Sequence, residues 1–317
     1  MESGHHHTNK DKIGIARLSI FSNTCLLLLK LIVGLLLGSV SLISEAIHSG
    51  MDLFASIIAF FSVRSSSLPP DDKHAFGHGK YEDFSGLIEA TLIFIAALLI
   101  IYEAVLRLME PNKGDLSGIL LTAGIAVMAV SAVVNMFISS RLMHVAKATE
   151  SIALESDAWH LRTDVYTSLG VLLGLVLIKF TGILIFDSIV AIGVALIIMK
   201  TAIELTLRSY SDLIDHRLND MEEGRIRAIV SNHQSQFKNF HNLRTRRAGP
   251  QQFIEFHLVV DRDIVIEKAH DLTDHLESDL QSEFPRSTIT IHVEPCTGGG
   301  TCTNCSKPCE FPTVKKG

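Results

Sequence analysis

Apolar residues crowd the first two thirds of the chain and then give way to an alternating, mixed texture. Six stretches, near residues 13–37, 40–64, 84–108, 116–142, 152–179 and 184–208, are long enough to be membrane spans once polar interruptions are allowed. A hydrocarbon core of roughly 30 Å needs about 20 such residues per helix. After "SYSDLIDHR" the pattern changes. An amphipathic run at 219–236, the strand-like "NLRTRRA" and "FIEFHLVVD", a helical run at 266–283 and "STITIHVE" predict a soluble unit of order αββαβ. So short a unit buries a modest core, and dimerisation would help it. The expected layout is an N-terminal tail at 1–11, a six-helix all-α transmembrane domain at 12–209, a soluble α+β domain at 210–296 and a tail at 297–317. That tail, rich in Gly, Pro and Cys and without periodicity, reads as flexible unless metal orders it.

Composition agrees with a bilayer protein bearing a soluble end: 47% of the 317 residues are hydrophobic, and the mean hydropathy is +0.32. The net charge is −6 and the only basic block is the short "LRTRR" at 243–247, so nucleic-acid binding has little support. "MESGHHHTNKDK" lacks signal-peptide architecture, and the first apolar run is expected to be a retained helix. Its histidine triplet is assigned no function. Lysine and arginine gather at Lys10, Lys12 and Arg17, at Arg64, Lys73 and Lys80, at Arg141 and Lys147, and after Arg208. The opposite loops hold only Arg107, Lys113 and Lys179. The positive-inside rule therefore places both termini in the cytoplasm.

Two of the apolar stretches carry titratable pairs. "SEAIHSGMD" holds His48 and Asp52, and "ESDAWHLRTD" holds His160 and Asp164, each four residues apart and so on one helix face. Ionisable groups at bilayer depth are costly and mark ion pathways by default. The alternative is interhelical hydrogen bonding alone. Two such helices side by side present two imidazoles and two carboxylates to one point, a tetrahedral set suited to zinc. Glu45 and Asp157 precede the two histidines by three residues, Glu45 toward the exterior and Asp157 toward the cytoplasm. They read as way stations flanking the central site or as ordinary helix-end carboxylates.

Together with the loop "DDKHAFGHGKYE", the segment "HNLRTRRAGPQQFIEFHL" and "HVEPC", these paired motifs resemble the cation diffusion facilitator family over about residues 12 to 296. The resemblance implies a homodimeric, proton-coupled metal antiporter of a bacterial inner (plasma) membrane, with six spans and a cytoplasmic ferredoxin-like, metallochaperone-like domain. It implies transport through His48, Asp52, His160 and Asp164. Some bacterial members have aspartate where this chain has His48, and the added nitrogen favours zinc over harder ions such as manganese. Efflux of iron, cadmium, cobalt or manganese by the same route is the alternative, as is a membrane-tethered sensor that moves no ion.

The resemblance also implies a loop site at Asp71, His74 and His78, a cytoplasmic two-metal site at His241, His257, His270, His292 and Glu294, and a Lys80–Asp215 salt bridge tying the dimer. Trp159 falls where relatives have an apolar gate residue, with simple packing as the alternative. His216, His233 and His275 are left as surface or core histidines. Cys302, Cys305 and Cys309, with Cys296 upstream, form a C-x2-C-x3-C array outside the resemblance, either thiolate zinc ligands or an incidental tail. The chain is not expected to be an enzyme: a zinc hydrolase would need a general base as in HExxH, and the sequence has no such motif. Zinc is the expected cargo and regulatory ligand, and protons, lipid and a second copy of the chain are the expected partners.

Overall fold

The computed structural model describes residues 2–37, 40–109, 118–181 and 185–296. Packing divides the chain into two compact units between Leu213 and Ile214. The first consists of long helices: α1 (Glu2–Leu37), α2 (Val40–Ser66), α3 (Lys80–Met109), α4 (Gly118–Thr149), α5 (Ile152–Thr181) and α6 (Ile185–Leu213). Among the described residues, segments of α1, α3, α4 and α6 are long and apolar enough to cross a membrane. The stretch expected as a tail is helical from Glu2 onward, continuous with α1. Helices overrun the expected spans because the helical ladder satisfies its own backbone and does not need to stop where apolar side chains do.

Small residues let these helices approach closely, as membrane interfaces require. Ala55, Ala59, Ala90, Ala97, Ala153, Ala158 and Ala202 are fully buried, while Leu99, Val133 and Ile197 face outward. At Gly86 of α3, a Cβ would come within 2.9 Å of Ser209 Oγ on α6 and 3.3 Å of Ser156 Oγ on α5. One buried cluster joins α1, α2, α4 and α5, a second joins α3, α5 and α6, and Trp159 of α5 packs against both. Helix α5 is thus the shared wall of the bundle, and it bears half of the expected site.

The second unit has the expected αββαβ order: α7 (Asp220–Asn232), β1 (Asn239–Ala248), β2 (Gln251–Val260), α8 (Ile266–Glu283) and β3 (Ser287–Pro295). Asn219 and Glu222 form a reciprocal capping box that starts α7. The sheet order is β1-β2-β3; β1 and β2 are antiparallel, and β2 and β3 run parallel, joined through α8. Alternation along β2 sends Ile254, Phe256, Leu258 and Val260 into a core with Ile226, Leu272, Leu276 and Leu280. Glu255 and His257 therefore lie on the opposite face, away from both helices.

Candidate metal sites

His160 on α5 reaches Asp52 on α2, with Nε2 3.0 Å from Oδ1. Both side chains are nearly buried, at 11% and 6% exposure. One turn along α5, Asp164 accepts a hydrogen bond from Asn135 Nδ2 of α4 at 3.3 Å. Asp164 and Asn135 line a cavity of about 80 Å³ together with Lys30, Ser131, Thr167 and Ser168. Lys30 Nζ donates to Ser49 Oγ at 2.8 Å, so a lysine ammonium of α1 is tied to α2 at this cavity. The side chains of His48 and Glu45 lie outside the described residues, although both positions are on α2.

Asp157, in the second turn of α5, is fully buried. Its Oδ1 accepts from Ser56 Oγ at 2.9 Å, and Ser19 Oγ lies 3.1 Å from Ser56 Oγ. Asn23 Nδ2 donates to Ser56 Oγ at 2.7 Å and lies 3.5 Å from the Asp52 carbonyl oxygen. Polar side chains of α1 and α2 thus connect Asp157 to the backbone beside the central pair. Glu89 of α3, which the sequence pattern did not single out, is also fully buried and accepts from Ser85 Oγ at 3.3 Å. Trp159 packs between the two helix clusters with the Arg162 guanidinium 5.2 Å from its ring centre. Another buried network lies near the start of α3, where Glu82 pairs with Lys12 of α1 and accepts from Ser66 and Ser151. Lys12, one of the charges that set the expected orientation, is 2% exposed.

Between α2 and α3, the Asp-x2-His-x3-His loop folds on itself. Asp71 Oδ1 lies 3.0 Å from His74 Nδ1, and Asp71 Oδ2 lies 3.4 Å from His78 Nε2. Gly77, at φ 81°, makes the turn that returns His78 to the group. The backbone N–H of His74 donates to Asp71 Oδ1 at 2.6 Å and that of Lys73 at 2.9 Å. The His74 amide, followed by the Lys73 amide and the His74 ring, holds the Asp71 carboxyl below its ordinary value, against a smaller opposing push from desolvation. Lys80 Nζ donates to the Leu213 carbonyl oxygen at 3.1 Å. In the second unit, Asp215 pairs with Arg246 at 3.3 Å.

The sheet of the second unit aligns three histidines. His241 is the register partner of His257, and His257 that of His292, so one row crosses all three strands. Glu294, two residues beyond His292 and on the same face, is their common neighbour. Its Oε1 is 2.8 Å from His257 Nδ1 and 3.7 Å from His292 Nε2, and its Oε2 is 3.6 Å from His241 Nε2. The structure does not bring His270 into this group: it pairs with Asp274 one turn along α8 at 3.4 Å. Cys296 is half-buried, its N–H donating to the Val260 carbonyl oxygen at 2.9 Å. Cys302, Cys305 and Cys309 lie outside the described residues.

Zinc bonded at about 2.0–2.1 Å in a tetrahedron holds its donor atoms about 3.4 Å apart. The His241, His257 and Glu294 donors and the Asp71, His74 and His78 donors each lie within 4.8 Å of one another, and in both groups the carboxylate-to-histidine contacts, 2.8 to 3.6 Å, bracket that spacing. Both groups leave a coordination position open. The Asp52–His160 contact has the same scale but lies among buried helices.

Comparison with known proteins places this architecture. The sequence profile of the cation efflux transmembrane domain matches residues 16–214, and that of the cation efflux protein cytoplasmic domain matches residues 218–296. The chain belongs to the cation diffusion facilitator family. It is a cation-efflux transporter and not an enzyme. An uncharacterized transporter of Synechocystis is 36% identical over 258 residues, covering 81% of this chain and 82% of its own. The cation-efflux pump FieF of Pectobacterium atrosepticum is 33% identical over 258 residues, covering 81% and 84%. A solved structure of the putative zinc transporter CzrB in its zinc form is 48% identical, over 26% of this chain and 92% of that one, with a TM-score of 0.25.

Proposed function

We propose that this facilitator exports zinc from the cytoplasm in exchange for protons, through His48, Asp52, His160 and Asp164. The observation that carries this reading is the 3.0 Å approach of His160 Nε2 to Asp52 Oδ1, which joins the two HxxxD helices at a buried point. A buried imidazole and carboxylate at that spacing match two donors of one tetrahedral metal site, and Asp164 supplies a third donor on the same face of α5. Imidazole binds metal only when neutral, so protons and zinc compete for the same nitrogens. Protons entering from the more acidic side displace zinc as the bundle alternates between its two openings.

In this reading all six long helices span an inner (plasma) membrane, with both termini cytoplasmic and two copies forming the transporter. The loop group at Asp71, His74 and His78 and the sheet group at His241, His257, His292 and Glu294 bind cytoplasmic zinc. Binding there favours one arrangement of the dimer only to the extent that zinc prefers it. Glu45 and Asp157 flank the central site along the pathway, and Lys80 and Asp215 act at the dimer's junction. Competition flux in proteoliposomes with an imposed pH gradient tests the cargo. Zinc should move in preference to cadmium, iron and manganese; manganese flux equal to that of zinc contradicts the assignment.

A further inference from the structure

Lys30 interrupts the apolar run "CLLLLKLIVG" of α1. A lysine on a membrane helix can lay its stem along apolar surface and keep its ammonium in water. This one is 7% exposed and turns into the bundle. Its Nζ donates to Ser49 Oγ of α2 at 2.8 Å, one residue past His48 and three before Asp52. It also lines the cavity of about 80 Å³ that Asp164 lines from α5. The same cavity is walled by acceptors. Ser131 Oγ and Asn135 Oδ1 of α4 are buried and have no hydrogen-bond partner among the described residues. Ser168 Oγ and Thr167 Oγ1 donate to the Asp164 carbonyl oxygen at 2.8 and 3.0 Å, so only their lone pairs remain to be matched. Buried acceptors left unmatched are costly.

We propose that Lys30 is a tethered rival of the metal at Asp164, and so a determinant of how tightly the cargo is held. This rests on the reading of Asp164 as a transport ligand. An ammonium has three N–H groups and no acceptor. Turned from Ser49 into the cavity, it meets three acceptors: the Asp164 carboxylate, Asn135 Oδ1 and Ser131 Oγ. Loss of metal leaves the Asp52 and Asp164 carboxylates among packed helices, where charge interacts strongly. A compact charge on a flexible four-carbon stem can compensate one of them without leaving the protein. A dication at Asp164 repels the ammonium, which then returns to Ser49. Lys30 and metal thus exclude each other, and the exclusion weakens metal binding and speeds release. Water, for which the cavity has room for about two or three molecules, would match the same acceptors without competing with metal.

The test is zinc flux by the full chain in proteoliposomes under an imposed pH gradient, read as the half-saturating zinc concentration and the maximal rate. Lys30→Met keeps the length and removes the charge. It should lower the half-saturating concentration at least about fivefold, and lower the maximal rate as release slows. Lys30→Arg restores the charge and should reverse that shift. Ser49→Ala removes the alternative partner, so zinc meets a better-held rival and the half-saturating concentration should rise about fivefold. In the Lys30→Met background Ser49→Ala should add nothing. General damage to the bundle would not move the two single variants in opposite directions. A half-saturating concentration in Lys30→Met equal to or above that of wild type, as water alone in the cavity would give, overturns the proposal. So does an equal effect of Ser49→Ala in both backgrounds. If Lys30→Met does not fold, Ser49→Ala decides alone, and an unchanged or lowered value overturns the proposal. His160→Ala separates it from the underlying reading. If that variant transports zinc as wild type does, the site and the role of Lys30 both fall. If it loses flux while Lys30→Met matches wild type, only the role of Lys30 falls.

Discussion

His160 and Asp52 are 108 residues apart in sequence and 3.0 Å apart in space. Their contact is made between α5, the helix shared by both buried clusters of the bundle, and α2, which also supplies Ser56 to Asp157. Any movement that separates these helices opens the pair. A metal ion bound between them, as proposed, would be coupled by geometry to a change in how the bundle opens.

Ser56 is the hinge of the polar network beside that pair, donating to Asp157 and accepting from Asn23. Ser56→Ala leaves a buried carboxylate short of one donor. The expected cost is about 1–3 kcal/mol of stability, read by denaturation in detergent micelles, with zinc flux lowered but not abolished. Unchanged stability would show that water takes over the role of the hydroxyl.

Lys12 and Glu82 form a buried pair whose members depend on each other. Lys12→Met strands the Glu82 charge, and breaking such a pair costs about 3–5 kcal/mol. The double variant Lys12→Met, Glu82→Gln should recover much of that loss in the same denaturation measurement. If the two single losses simply add, the charges are not coupled.

These two networks show what the chain's pattern could and could not reveal. Helix periodicity placed His160 and Asp164 on one face, and the repeat of the same spacing at His48 and Asp52 suggested that two helices share a site. The burial of Lys12 was not legible, because the positive-inside rule concerns average placement of charge, whereas burial follows from a partner 70 residues away. The polar residues Asn23, Ser56, Asn135 and Glu89 sit in apolar runs, and the cost of burying them is the signal that could have found them. In the soluble unit, alternation put His292 and Glu294 on one face. The row formed with His241 and His257 depends on strand register, which spacing does not encode. His270 entered the ligand set through resemblance alone, and within the chain its neighbour is Asp274.

Asp71 supplies a pH test outside the membrane. Its lowered pKa comes first from the backbone N–H of His74, which bonds the ionised form. A depressed folded-state value means that the turn's stabilising contribution is fully present above the ordinary carboxylate range. It is lost as the pH falls through the lowered folded value. A 13C titration of the Asp71 carboxyl should give a midpoint below that of an ordinary aspartate. His74→Ala, which keeps the amide and removes the ring, should restore only part of the difference. Full restoration would assign the effect to the imidazole.

The central claim is that zinc crosses at the site joined by Asp52 and His160. Zinc flux into proteoliposomes under an imposed pH gradient, for wild type, His160→Ala and Asp164→Ala, tests it most directly. Both variants should keep the oligomeric state of wild type and lose zinc flux to background. Full flux in both would contradict the assignment of the site, and wild-type protein that binds zinc with no flux at all would contradict transport itself.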